Sequence, residues 1–228
     1  MSIIQTNTQT ISKLAAKAII DAAKNIDKEY IVLALPGGRS VSGIYEEFRQ
    51  SKDPVWKKIH IFLVDERVAE ITDDDSNFKL IWESFACQLV KKGILPIANM
   101  HPLRINDSQD HGASNYLKIL EKYGGAFDIV LVSSGEDGHI AALYPDHKAL
   151  KTKGKHFIYL NDSPKPPKDR ITSSVELIHG AKAIIILFVG EAKREAYQKF
   201  NNPHVPILDC PAKLASKMKN SIVYTDLK

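Results

Sequence analysis

The chain has 228 residues, of which 44% are hydrophobic and 25% charged, and 31 Lys and Arg against 27 Asp and Glu give a formal net charge of +4. This suits one α/β domain spanning residues 1–228. The cations are scattered, which excludes the dense basic stripe of a nucleic-acid binder, and no apolar run approaches the ~18 residues needed to cross a membrane. Cys87 and Cys210 have neither metal-type nor disulfide-framework spacing. The start, Met1-Ser-Ile-Ile-Gln-Thr, lacks a basic region followed by an apolar core, so no signal peptide and a cytoplasmic location are expected.

Apolar residues at Ile11, Leu14, Ala15, Ala18 and Ile19 share one helix face and predict a helix over 10–24. Residues 30–35 (YIVLAL) then form a short apolar run of the kind a buried parallel strand shows. A helix is predicted over 41–50, a strand over 59–64 (IHIFLV) and helices over 78–90 and 113–122. Strand 127–132 (FDIVLV) follows, then a weaker candidate at 156–160 and an extended loop at 162–169 carrying Pro164, Pro166 and Pro167. Strand 183–189 (AIIILFV), a helix over 191–200 and a weaker strand at 221–224 complete the chain. The alternation predicts a three-layer αβα sandwich about a mostly parallel, Rossmann-like twisted sheet with right-handed crossovers.

In such sheets ligands bind beyond the carboxyl ends of the strands. Residues 36–40 (Pro-Gly-Gly-Arg-Ser) follow the first buried strand. Gly37 and Gly38 let the backbone approach a ligand, Ser40 is placed to cap the next helix, and a helix start attracts phosphate. Asp65-Glu66-Arg67 follow the second. Arg67 suits a bidentate pair with phosphate or carboxylate, and Asp65 suits orienting a histidine or accepting a proton. Ser76 is a candidate cap. Asp73, Asp74 and Asp75 lack calcium-loop spacing and are expected to form a solvated acidic turn.

The third strand leads into Ser133-Ser-Gly-Glu-Asp-Gly-His139-Ile-Ala-Ala-Leu-Tyr-Pro145. Gly135 and Gly138 bracket two carboxylates and deliver His139 to the sheet edge. A neutral imidazole beside Asp137 can take a proton from water and return it later. The other seven histidines are expected to be structural or merely exposed. Arg170, after the prolines, and Lys193, at a helix start where a cation is mildly costly unless it meets an anion, complete the candidates.

These motifs, in this order, resemble the 6-phosphogluconolactonases, within the superfamily that also holds glucosamine-6-phosphate deaminases. Pro36–Ser40 is similar to the family's glycine-rich phosphate loop, and Asp65-Glu66-Arg67 with Ser76-Asn77 to its second motif. Gly135–Pro145 is similar to Gly-x-Asp-Gly-His-x-Ala-Ser-Leu-Phe-Pro, Pro166-Pro167 with Arg170-Ile-Thr172 to its proline loop, and Gly190 with Lys193 to its late lysine motif. The chain departs from the pattern at Ser133-Ser134, where the family reads Gly-Met, at Ala142, where serine is frequent, and at Tyr144, where phenylalanine is.

The resemblance implies hydrolysis of 6-phospho-D-glucono-1,5-lactone to 6-phospho-D-gluconate in the oxidative pentose phosphate pathway, without cofactor or metal. It implies a catalytic His139 with Asp137 and Asp65. Substrate is expected at Gly37, Gly38, Arg39, Ser40, Arg67, Gly135, Gly138, Arg170 and Lys193. A monomer or small homo-oligomer is expected, whose partner is the phosphorylated lactone. The alternatives are a deaminase-like aldose-ketose isomerase and a non-catalytic sugar-phosphate-binding domain. Against the first, deaminases read Asp-Glu-Tyr and Phe-Asn-Glu-Pro where this chain has Asp65-Glu66-Arg67 and Ala142-Leu-Tyr-Pro145.

Overall fold

Strand β1 (Ser2–Gln5) and helix α1 (Thr8–Lys24) open the chain in the computed structural model, which describes residues 1–228. Asn7 caps α1 by accepting from the Thr10 amide at 2.9 Å. Ile11, Ala15, Ile19 and Ala23 recur every fourth residue and are buried as one stripe. Strand β2 (Ile31–Leu35) leads through a 3-10 turn, Arg39–Val41, into α2 (Ser42–Arg49). Strands β3 (Ile59–Leu63) and β4 (Asp65–Arg67) follow. Helix α3 (Asn77–Ile81) continues through a π-helical segment, Trp82–Ala86, into α4 (Cys87–Lys91). Then come α5 (Ala113–Glu121), β5 (Ile129–Ser133), β6 (Phe157–Leu160), β7 (Arg170–Ser173) and α6 (Val175–His179). Strand β8 (Ala183–Phe188), α7 (Arg194–Asn201) and β9 (Ser221–Thr225) end the chain.

Six strands form one parallel sheet in the order β1-β9-β8-β5-β2-β3. Every residue of β2 and β3 is buried. Successive side chains point to opposite faces, so both faces are covered, which gives the expected three layers.

Two features depart from expectation. Residues 156–160 were expected in the parallel sheet. Strand β6 instead joins a second, antiparallel sheet of order β4-β7-β6, and Asp65–Arg67 form a strand of that sheet rather than a loop. Strand β1 and helix α6 had no predicted counterpart.

The small sheet is fastened to the helices by Glu66. Its buried carboxylate accepts from the amides of Arg67 at 2.7 Å, Asn77 at 2.8 Å and Phe78 at 2.9 Å, and from Ser76 Oγ at 3.1 Å. Ser76 in turn caps α3 through the Lys79 amide. Burial pushes the Glu66 carboxyl up, and the donated amides oppose that shift. Removing an acceptor here leaves buried donors unsatisfied. Glu66→Ala is therefore expected to lower unfolding stability by about 2–4 kcal/mol, read from urea denaturation.

Candidate active site

Strand order reverses between β2 and β5. From β2 the chain moves outward to β3, whereas β5 lies on the other side of β2. Such a reversal opens a crevice beyond the strands' carboxyl ends. A cleft of about 430 Å³ lies there. Of the predicted residues, Gly37, Gly38, Arg39, Ser40, Asp65, Arg67, Gly135, His139, Arg170 and Lys193 line it. Asp137 stands behind His139, outside the lining. None of the other seven histidines reaches the cleft, and no three His, Cys, Asp or Glu side chains converge as metal ligands would.

Residues after β5 fold back on themselves. The Gly135 amide donates to the His139 carbonyl at 2.7 Å, and the Gly138 amide to the Gly135 carbonyl at 3.2 Å. This brings the imidazole over Gly135. A Cβ on Gly135 would lie 2.1 Å from His139 Cε1 and Nδ1, so only glycine leaves room. Asp137 Oδ1 lies 2.5 Å from His139 Nδ1 and accepts the His139 amide at 3.2 Å. A proton on Nδ1 donated to this carboxylate leaves the Nε2 lone pair free. Nε2 has no acceptor or donor within the chain. Burial alone would raise the Asp137 carboxyl, but the hydrogen bond and charge of His139 prevail and hold it at about 2.

Gly138 lies outside the lining of the cleft. Its φ of +94° requires glycine, and a Cβ there would meet Cys210 Sγ at 2.9 Å, on the side away from the cleft. Its carbonyl accepts the Ala212 amide at 2.8 Å, packing the loop onto the chain near Cys210. A turn glycine looks the same in sequence whether it faces ligand or protein.

The loop after β2 is braced by Tyr45 and Asn77. Tyr45 donates its hydroxyl to the Pro36 carbonyl. Gly37 faces Asn77, whose Oδ1 would lie 1.8 Å from a Cβ at residue 37, while Asn77 Nδ2 donates to the Asp65 carbonyl at 2.9 Å. Asn77 thus joins three of the site's segments. The Gly37 and Gly38 amides have no acceptor in the protein. Ser40 does not cap a helix as expected: it lies inside the 3-10 turn, which has no side-chain cap. With the Arg39 and Ser40 amides at the turn's start, these are donors that the protein leaves without acceptors.

The cations fall into two groups. Arg67 and Arg170 lie beside Asp65. Burial raises the Asp65 carboxyl, and Arg170, Arg67 and His139 oppose the rise. Asp65 therefore does not orient His139 by hydrogen bond; Asp137 does. Arg170 is 6% exposed and donates Nε to the Pro167 carbonyl at 3.0 Å and Nη2 to that of Pro166 at 2.9 Å. Arg67 donates Nη1 to the Asp75 carbonyl, and its buried Nε has no partner. Lys193 belongs to the second group. Burial lowers its ammonium, and Lys165 and Arg39 lower it further against the pull of Glu136 and Asp137. Three cations around one opening are mutually repulsive until an anion enters.

Lys165 and Asn77 line the cleft but were not predicted as ligand residues. Lys165 sits in the proline loop, 27 residues beyond the glycine-bracketed turn, and only the fold brings it to Lys193. Tyr144 also lines the cleft, its ring centroid 4.8 Å from that of His139. The acidic turn is closed by its own contacts: Asp73 accepts the Asp75 amide at 2.8 Å, and Asp74 pairs with Lys79 at 2.6 Å.

The depressed Asp137 value fixes a pH dependence. A carboxyl whose folded value lies below its unfolded one adds stability above the unfolded value of about 4, and this is lost as pH falls toward 2. The stability difference between wild type and Asp137→Asn should be full at pH 7 and shrink below pH 4, read from denaturant midpoints across that range.

Residues 5–224 match the family model described as glucosamine-6-phosphate isomerases/6-phosphogluconolactonase. The 6-phosphogluconolactonase of Borreliella burgdorferi is 32% identical over 206 residues, covering 90% of this chain and 87% of that protein. A probable 6-phosphogluconolactonase 4 of Arabidopsis thaliana is also 32% identical, covering 82% and 76%. The crystal structure of 6-phosphogluconolactonase from Thermotoga maritima superposes with a TM-score of 0.81 at 22% identity, over 98% of this chain and 96% of that one. A monomeric glucosamine-6-phosphate deaminase superposes as well, at 0.82 and 21% identity over 99% and 97%. At these identities the solved structures speak for the fold, which lactonase and deaminase share. The match over nearly the whole chain and the relatives above 30% identity decide the lineage: the chain belongs to the glucosamine-6-phosphate isomerase/6-phosphogluconolactonase family.

Proposed function

We propose that the chain is a 6-phosphogluconolactonase, hydrolysing 6-phospho-D-glucono-1,5-lactone to 6-phospho-D-gluconate. The observation that carries this reading is His139, paired with Asp137, in a cleft that Lys193, Lys165 and Arg39 also line. The relatives above 30% identity bear the same name.

In this reading His139 Nε2 takes a proton from water as the water attacks the lactone carbonyl. Asp137 holds the imidazole in the needed tautomer and stabilises the imidazolium that forms. The oxyanion meets N–H donors that cost no reorganisation. Arg170 suits this role, because its guanidinium is already fixed by two carbonyls and has further N–H groups to give. The imidazolium then returns its proton to the departing ring oxygen, which opens the ring. No cofactor enters these steps.

Lys193, Lys165 and Arg39 hold the 6-phosphate with the free amides of residues 37–40. Arg67, which lines the cleft, binds a further oxygen of the substrate. Gripping the distant phosphate orients C1 for attack. Position 144, where a deaminase would carry glutamate, holds Tyr144, so the proton-handling group for an aldose-ketose exchange is missing. The chain acts as a single domain on a small anionic substrate, with no nucleic-acid partner. We place it in the cytoplasm, in keeping with two unpaired cysteines.

The test is lactone hydrolysis measured on freshly generated substrate and corrected for spontaneous opening. His139→Ala should keep the fold and lose about 10²–10⁴-fold in kcat. A near-wild-type rate in that variant removes His139 from the mechanism. Ammonia released from glucosamine 6-phosphate by the wild type would favour the deaminase reading instead.

A further inference from the structure

Tyr144 carries a hydroxyl where the family pattern has phenylalanine. The ring is 3% exposed and packs on His139 at 4.8 Å between centroids. The hydroxyl lies 2.9 Å from Ser163 Oγ. Ser163 is also buried and organises the proline loop. Its Oγ lies 2.9 Å from the Lys165 carbonyl and accepts the Lys165 amide at 3.3 Å, while its own amide donates to the Lys168 carbonyl at 3.2 Å. That loop carries Lys165 into the cleft, and its Pro166 and Pro167 carbonyls hold the Arg170 guanidinium.

We infer that Tyr144 is a positioning residue whose hydroxyl, with Ser163, latches the proline loop onto the histidine loop and so sets Lys165 at a fixed distance from His139. The inference rests on the lactonase reading of the same cleft. Burial raises the Tyr144 phenol and keeps it protonated. One arrangement uses every hydrogen: Tyr144 donates to Ser163 Oγ, Ser163 donates to the Lys165 carbonyl, and the Lys165 amide donates back to Ser163 Oγ. The outer ties between these segments, His147 Nε2 and Lys148 Nζ to Asp162 at 2.9 and 3.0 Å, are at the loop's outer end, where Asp162 is exposed. They precede Ser163, and the Arg170 bonds hold the Pro166 and Pro167 carbonyls to β7, so neither set ties Lys165 to the histidine loop. The inner hydroxyl pair is therefore what fixes the lysine.

Tyr144→Phe separates the two jobs of the side chain. The ring stays against the imidazole and the latch is lost. Ser163→Ala breaks the latch from the other side. Both variants, made in the full chain, are expected to raise KM for 6-phosphoglucono-1,5-lactone about 3–10-fold and to change kcat by less than about twofold. Glucono-1,5-lactone has no phosphate for Lys165 to grip, and its kcat/KM should stay within about twofold of wild type. The double variant should be no worse than either single, because the two hydroxyls act as one unit.

A readout independent of turnover is amide exchange at Ser163, Lys165 and Lys168, the residues of this stretch that carry an N–H. It should quicken in both single variants while residues 134–140 keep their protection. Unchanged KM with unchanged exchange in Tyr144→Phe overturns the latch. So does an equal loss of kcat with both lactones, the mark of a merely structural role. Absence of lactone turnover in the wild type would instead overturn the functional reading, and the exchange measurement would still decide the latch.

Discussion

An imidazole that meets its substrate from a loop needs its second nitrogen fixed, and here a carboxylate two residues away fixes it. The contact between Asp137 and His139 exists because the loop closes tightly enough to lay the ring on Gly135. Any side chain at 135 would fill the space the ring occupies. The chain turns this sharply where it leaves β5, the strand next to the reversal of sheet order. The crevice that topology opens is therefore the one the histidine faces.

The rest of the site is assembled around that corner by polar side chains that bind the protein's own backbone. Glu66 collects the start of α3 and ties it to β4. Asn77, placed by that bond, supports Gly37 on one side and the Asp65 carbonyl on the other. Arg170 is locked to the proline loop before any ligand arrives. Positive charge is thus gathered at the cleft, where burial lowers the Lys193 ammonium and the nearby Lys165 and Arg39 add to that shift. In the proposed function an entering phosphate relieves that repulsion, and gripping it also orients the sugar.

Much of this was legible in the residues. Strands β2, β3, β5 and β8 read as apolar runs because helices cover both faces of a parallel sheet. Their carboxyl ends then pointed to the loops that matter. Strand β1 was invisible because it is an exposed edge, Ser-Ile-Ile-Gln, with no alternation to mark it. Strand β4 was read as loop because Asp-Glu-Arg has no strand pattern; its extended form comes from pairing with β7 and from Glu66's amide bonds. Lys165 could not be singled out among 31 cations, since its place depends on a loop folding back to Lys193. Gly138 shows the converse: its φ turns the chain, and the residue that packs on it, Cys210, lies 72 positions away, where no local pattern marks it.

In the proposed function a water-activating histidine and a phosphate grip share one cleft and hold opposite ends of one substrate. A crystal structure with 6-phosphogluconate, the product of the proposed reaction, tests it most directly. The account requires the phosphate against Lys193, Lys165 and the amides of residues 37–40, with the C1 carboxylate within hydrogen-bond reach of His139 Nε2. A product bound with its carboxylate at Lys193 and its phosphate at His139, or bound outside this cleft, would contradict it.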